Sequence, residues 1–198
     1  FYRVISFFPY AVPAIVIGIM WSQIFDPSSG IVNGILTGLG LRNFDSFAWL
    51  GRESTAMPVT IFIILWGFVG FYMVMFVAAI QGIDPEIFES ARIDGAGRFR
   101  TAVSITIPLI GGSVQTAYIY MGIFALDAFT YMQALNPQGG PNNSTLVMSQ
   151  QLMDTAFTKG QFGLACAMGV VASIITMLFA LLVLGVGRLV RGGRGAGL

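Results

Sequence analysis

The chain has 198 residues, 56% of them hydrophobic and only 10% charged, against the roughly 25% charged share of a soluble globular domain, so it is read as a membrane protein. Ten Lys and Arg against nine Asp and Glu leave a net charge of +1, too little basic surface for nucleic-acid binding. His is absent and the single Cys, Cys166, sits in an apolar run, which excludes a disulfide framework, His/Cys metal sites, His-based triads and haem ligation and leaves no catalytic or metal-ligating residue to nominate.

In chain order, four charge-free intervals are long enough to cross a bilayer, for which a helix needs about 20 apolar residues. Arg3 to Asp26 encloses 22 uncharged residues and predicts a span near 4–25, which Pro9 and Pro13 should kink. Glu53 to Asp84 encloses 30 and predicts a span near 56–81. Arg100 to Asp127 encloses 26 and predicts a span near 102–127, and Lys159 to Arg188 encloses 28 and predicts a span near 162–187. The interval from Asp127 to Asp154 is equally free of charge but contains Asn136, Pro137, Gln138, Gly139, Gly140, Pro141, Asn142 and Asn143. Such a run cannot pair its own backbone in lipid and is read as a loop. The fold class is therefore an all-α integral membrane bundle with four spans.

Lys and Arg collect in short cytoplasmic loops. With the first span running outward, the cytoplasmic side holds Arg3, Arg92, Arg98, Arg100, Arg188, Arg191 and Arg194, and the outer side only Arg42, Arg52 and Lys159. Both ends are then cytoplasmic. The chain opens with Phe-Tyr-Arg directly into a span, without initiator Met or signal peptide, so further spans upstream are expected. Gly192 to Gly197 reads as a frayed tail.

The cytoplasmic loop 82–101 is organised as a helix. Asp84 can cap it, Pro85 suits its first position, and Glu86 and Glu89 lie where the helix dipole favours anions. Ile83, Ile87 and Ala91, with Phe88 beside them, give one apolar face, and Asp94-Gly95 ends it. The small Ala91 and the bend at Gly95 suit docking into a groove on another protein. An interfacial helix lying on lipid shares the same face.

A site for a small polar solute combines apolar or aromatic faces with a few polar groups, and one helical face of the chain mixes the two. On a continuous helix of 3.6 residues per turn, Ser113, Thr116, Tyr120, Phe124, Asp127 and Tyr131 fall within a sector of about 60°. These six are the candidate substrate-pathway residues; packing between helices, with Asp127 paired to a neighbour, accounts for the same face. Gly67, Gly70, Gly163, Gly169 and Ser173 are read as close-contact positions between helices.

Glu89-Ser90-Ala91, three residues, Gly95, nine residues, then Ile105-Thr106-Ile107-Pro108 resembles the Glu-Ala-Ala loop of binding-protein-dependent ABC importer permeases, with Ser90 for the second Ala and Ile107 for Leu. The resemblance extends over nearly the whole chain in the maltose-type sugar branch. It is carried by Ile19-Met20-Trp21, Phe25-Asp26-Pro27, Gly30-Ile31-Val32-Asn33, Ile80 to Glu86, and Gly139-Gly140-Pro141 with Asn143-Ser144-Thr145. Many members carry Asp after a Phe ahead of the glycine-proline loop, whereas here Thr130 follows Phe129 and the acid is Asp127. Ala125 to Phe129 and Met148 to Leu152 look closest to importers of N-acetylglucosamine or its β-linked oligomers.

The resemblance implies a type I ABC importer permease fold, one transmembrane domain over 1–198 in a multi-pass bacterial cytoplasmic membrane protein, and no enzymatic activity. Glu89, Ser90, Ala91, Asp94 and Gly95 would couple it to an ABC ATPase dimer. A second permease subunit and an extracytoplasmic sugar-binding protein would complete the complex. ATP and Mg would be bound by the ATPase, since Gly95-Ala96-Gly97 is followed by Arg98-Phe99-Arg100 and not by a Walker Gly-Lys-Ser/Thr. The alternative is a secondary carrier or channel subunit, which predicts inverted repeats and intramembrane ionisable pairs.

Overall fold

The structure, a computed structural model, describes the backbone of residues 2–195 and the side chains of residues 5–188. Among the described residues there are helices and turns and no strand. Two helices are each long and apolar enough to span a membrane, α4 (Glu53–Gln81) and the part Phe162–Arg188 of α10 (Phe162–Gly195). Two bent pairs pass the same test of length and composition when each is taken together, which makes up to four spans among the described residues.

The first expected span is α1 (Tyr2–Ala11) followed by α2 (Ala14–Ile24), bent by 106°. Pro13 sits in the break with no N–H to give, and its carbonyl accepts from Val16 and Ile17 to start α2 afresh. The third expected span is also broken, where the sequence predicted one continuous helix over 102–127. It comprises α6 (Arg98–Leu109) and α7 (Gly111–Leu126), bent by 70° at Ile110. A π turn at Ala102–Thr106 widens α6, with the Thr106 hydroxyl donating to the Thr101 carbonyl at 3.2 Å. Pro108 then removes a donor, and the Ile110 carbonyl accepts from Ser113 and Val114 to begin α7. The remaining elements are α3 (Ile31–Gly38), α5 (Pro85–Ile93), α8 (Phe129–Leu135) and α9 (Met148–Met153). The expected frayed tail is helical to Gly195, and its last two residues lie outside the described residues, as do the side chains of Arg3, Arg191 and Arg194.

The described chain forms two compact units, residues 1–70 with 125–173 and residues 71–124 with 174–198. In the first, α2 packs on α8 through Gly18, where any added Cβ would overlap the Ala134 side chain. A Cβ at Gly67 would lie 2.9 Å from the Tyr131 hydroxyl, and one at Gly70 would strike the Ser6 carbonyl. Asn33 organises the loop after α2: its amide donates to the carbonyls of Pro27 and Phe47 at 3.1 and 3.0 Å, and its Oδ1 accepts from the Trp49 indole at 2.7 Å. In the second unit, Gly122 faces the Phe179 ring, and the Gln115 amide donates to the Val183 carbonyl at 2.9 Å. Gly163, expected to be a close contact, has open space around it; Gly169 meets only the tip of Leu152, and the Ser173 hydroxyl returns to the Gly169 carbonyl of its own helix.

These contacts separate the glycines by function. Gly18→Val should lower the stability of the purified complex by about 1–3 kcal/mol through overpacking, whereas Gly163→Ala should leave it unchanged or slightly raised. Thermal melting of the two variants checks the distinction, and equal effects would contradict it.

Candidate functional site

The helix α5 forms as its sequence dictates. The Asp84 carboxylate accepts from the Glu86 N–H at 3.0 Å and Pro85 occupies the first turn. At the other end, the N–H of Gly95 meets the Arg92 carbonyl at 3.0 Å and that of Ala96 meets the Ala91 carbonyl at 2.9 Å. This closure sets Gly95 at φ +72°, in the left-handed region that glycine enters without cost. Glu89, Ser90, Asp94 and Gly95 are exposed, as a docking segment requires. Ala91 departs from the expectation: it is 4% exposed and covered by its own chain, although Ile87, one turn earlier on the same face of α5, is exposed. The most exposed apolar side chains nearby are Ile93, at 86%, at the end of α5, and Phe99, at 82%, on α6.

The six-residue pathway stripe does not lie on one helix. Ser113, Thr116, Tyr120 and Phe124 occupy α7, which ends at Leu126; Asp127 is exposed in the following turn; Tyr131 is on α8. Ser113 and Phe124 are half-buried and Thr116 and Tyr120 exposed. Tyr131 is buried against Gly67, with its ring centroid 6.1 Å from that of Phe68. The helical-phase argument fails at Asp127-Ala128 because it assumed an unbroken helix through a point where the chain turns.

Sequence reasoning missed a cavity of about 660 Å³ in the first unit, bounded by α8, the loop 136–147, α9 and the π turn Asp154–Thr158. Its polar lining is dominated by the amides of Gln133, Gln138, Asn143, Gln150 and Gln151, and its rings are Phe129 and Phe157. Gln150 is 4% exposed; its Nε2 donates to the Asn136 carbonyl at 3.1 Å and to the Gln133 Oε1 at 3.3 Å, while its own Oε1 has no partner. The density of amides between 133 and 151 is the available signal; in sequence, residues 136–143 read as a loop and Met148 to Leu152 as part of the family resemblance, without being joined into a site.

Lys159 donates to Asp154 at 2.7 Å on the cavity wall. The Lys159 hydrogen bond holds the Asp154 carboxyl below its ordinary value. In the loop after α2, the Asp26 carboxylate accepts from the hydroxyls and N–H groups of Ser28 and Ser29 at 2.7 to 3.0 Å and is lowered to about 2. Among the described residues no group of His, Cys, Asp and Glu could hold a metal.

Bent and straight apolar helices with a capped, glycine-terminated amphipathic helix between them describe a multi-pass helical membrane protein. The chain belongs to the family of binding-protein-dependent transport system inner membrane components, whose model matches residues 1–192. It is 62% identical over 195 residues to the diacetylchitobiose uptake system permease protein NgcF of Streptomyces coelicolor, covering 98% of this chain and 55% of that protein. It is 31% identical over 186 residues to the trehalose/maltose transport system permease protein MalF of Thermococcus litoralis, covering 94% and 61%. The chain thus spans little more than half the length of these relatives. The fold is that of a bacterial ABC transporter involved in the import of alginate, seen in its crystal structure, with a TM-score of 0.85 at 23% identity over 94% of this chain and 64% of that one. Family membership favours the permease over the carrier or channel alternative.

The Asp154 shift has a direction that can be measured. A depressed carboxylate pKa means the Lys159 contact persists above the ordinary carboxylate range and is lost only as pH falls below it. Lys159→Met should therefore raise the Asp154 titration midpoint, read by ¹³C-carboxylate NMR; an unchanged midpoint would remove Lys159 as the cause.

Proposed function

We propose that the chain is a pathway subunit of an ATP-driven importer that carries a neutral amino sugar oligomer, of the diacetylchitobiose type, from a solute-binding protein into the cytoplasm. The observation that carries this reading is the 62% identity, over 98% of the chain, to a diacetylchitobiose uptake permease. A second permease subunit would complete the pathway, and an ABC ATPase dimer would bind ATP and Mg and dock on α5. The crystal structure of the alginate transporter in complex with an oligosaccharide-bound periplasmic protein, similar in fold with a TM-score of 0.85, supports a binding protein as the donor of sugar.

Two features of the chain support coupling through α5. Its exposed Glu89 and Asp94 present carboxylates to a partner, with Ser90 and Gly95 exposed beside them, and the outward Ile93 supplies an apolar contact whose burial would be favourable. Substrate contacts are assigned to Ser113, Thr116, Tyr120 and Phe124 on α7, with Asp127 at its end and Tyr131 bracing the adjoining α8. The chain itself hydrolyses nothing in this reading.

Deletion of the gene should abolish uptake of radiolabelled diacetylchitobiose by at least tenfold, and the wild-type gene should restore it. Gly95→Trp, which places a bulky Cβ-bearing residue at φ +72°, should insert normally yet fail to restore uptake. Asp127→Asn, which keeps shape and removes charge, should assemble with impaired uptake. Undiminished uptake after deletion would overturn the reading; normal uptake by Gly95→Trp would remove α5 as the coupling element.

A further inference from the structure

The cavity of the first unit is assembled from groups that suit a sugar and nothing charged. Its lining carries the amides of Gln133, Gln138, Asn143, Gln150 and Gln151, and amide donors and acceptors are the groups that hydroxyl and acetamido groups pair with. Phe157 is 71% exposed on the cavity wall, a ring face available for stacking on the C–H surface of a pyranose. The volume of about 660 Å³ lies within the roughly 300–1,000 Å³ range of small-molecule sites.

Two observations narrow the ligand. The charged groups on the wall, Asp154 and Lys159, neutralise each other at 2.7 Å, so the lining offers no net charge to recruit an acidic sugar. Gln150 is 96% buried by its 4% exposure, and its Oε1 lacks a partner while its Nε2 is held by Asn136 and Gln133. The Gln150 oxygen is closed to solvent and left without a donor, and an orphaned acceptor costs about 1–3 kcal/mol until a small rotation of the amide lets one arrive. A sugar hydroxyl or acetamido N–H is such a donor.

We propose that this cavity is a subsite for one ring of a neutral, acetamido-bearing sugar, separate from the α7 stripe, with Gln150 as its buried acceptor and Phe157 as its stacking face. The sequence places the surrounding loop on the outer side of the membrane, so the subsite would take sugar before the transmembrane pathway does. The proposal rests on the sugar-import reading above, and the test keeps the two apart.

The assembled transporter in nanodiscs, carrying Thr158→Cys in a Cys166→Ser background, is labelled with an impermeant maleimide while the solute-binding protein is omitted. Thr158 is exposed and lines the cavity. Diacetylchitobiose should slow labelling at least threefold, and the protection should vanish on adding Phe157→Ala, an exposed position whose loss leaves complex yield intact. Gln150→Leu should abolish protection too, and Phe157→Ala serves alone if that variant misassembles. If cells expressing the Thr158→Cys transporter take up sugar but labelling is unprotected, the subsite is overturned and the import reading stands. Equal protection by an acidic alginate oligomer, or protection that needs the binding protein, also overturns it. Absence of any sugar uptake by the wild-type transporter overturns the import reading and the subsite with it.

Discussion

A buried hydrogen bond from Asn136 Nδ2 to the Thr60 hydroxyl, at 2.6 Å, holds the part of this protein that is not helical. Where the chain leaves the α-helix near a bilayer, every freed N–H and C=O must find a partner inside the protein. Asn136, at 2% exposure, meets that demand through its Nδ2 and its backbone carbonyl, while its own Oδ1 has no partner. Its side chain ties to α4, where the Thr60 hydroxyl passes its own proton to the Ala56 carbonyl at 2.8 Å. Its carbonyl accepts from Gln150 Nε2 and from the Gly139 N–H. Beyond it, the Gly139 carbonyl receives both the N–H and the hydroxyl of Thr145, at 3.0 and 2.8 Å. The turn requires φ +91° at Gly139 and +68° at Gly140, where a Cβ would run into Thr145 Oγ1 and Asn136. The glycine-glycine-proline motif is thus a consequence of how closely this loop folds on its buried amide.

The cavity inherits its shape from that arrangement. Gln150 is positioned because Asn136 and Gln133 hold its nitrogen, which leaves its oxygen directed without a protein partner. A loop with its amides solvated at random would present no such acceptor. α5 is built on the opposite logic: its own ends are satisfied locally by Asp84 and by the turn at Gly95, so its exposed residues remain free for a partner without unravelling the helix.

Much of this was legible in sequence because the signals were local. Charge-free length located α4 and the spanning part of α10 to within a few residues, and Asp84-Pro85 and Gly95 marked the ends of α5. Asn136 to Asn143 was recognised as a segment unable to span. The errors arose where tertiary geometry decides. Pro108 with Gly111-Gly112 broke a span that hydropathy presented as continuous, and the turn at Asp127-Ala128 divided a stripe that helical phase had joined. Ala91 belongs to the interior because periodicity identifies a face without saying whether the protein or its partner covers it. The cavity was invisible because its amides come from three segments that only the Asn136 network brings together.

The most direct measurement of that network is hydrogen–deuterium exchange at the N–H groups of Gly139 and Thr145 in wild type and in Asn136→Leu. Loss of the buried hydrogen bonds, worth about 1–3 kcal/mol, should speed exchange at both by roughly tenfold or more, while the interiors of α4 and α10 keep wild-type protection. Unchanged exchange at Gly139 and Thr145 in a normally assembled variant would show that the loop is held by something other than Asn136.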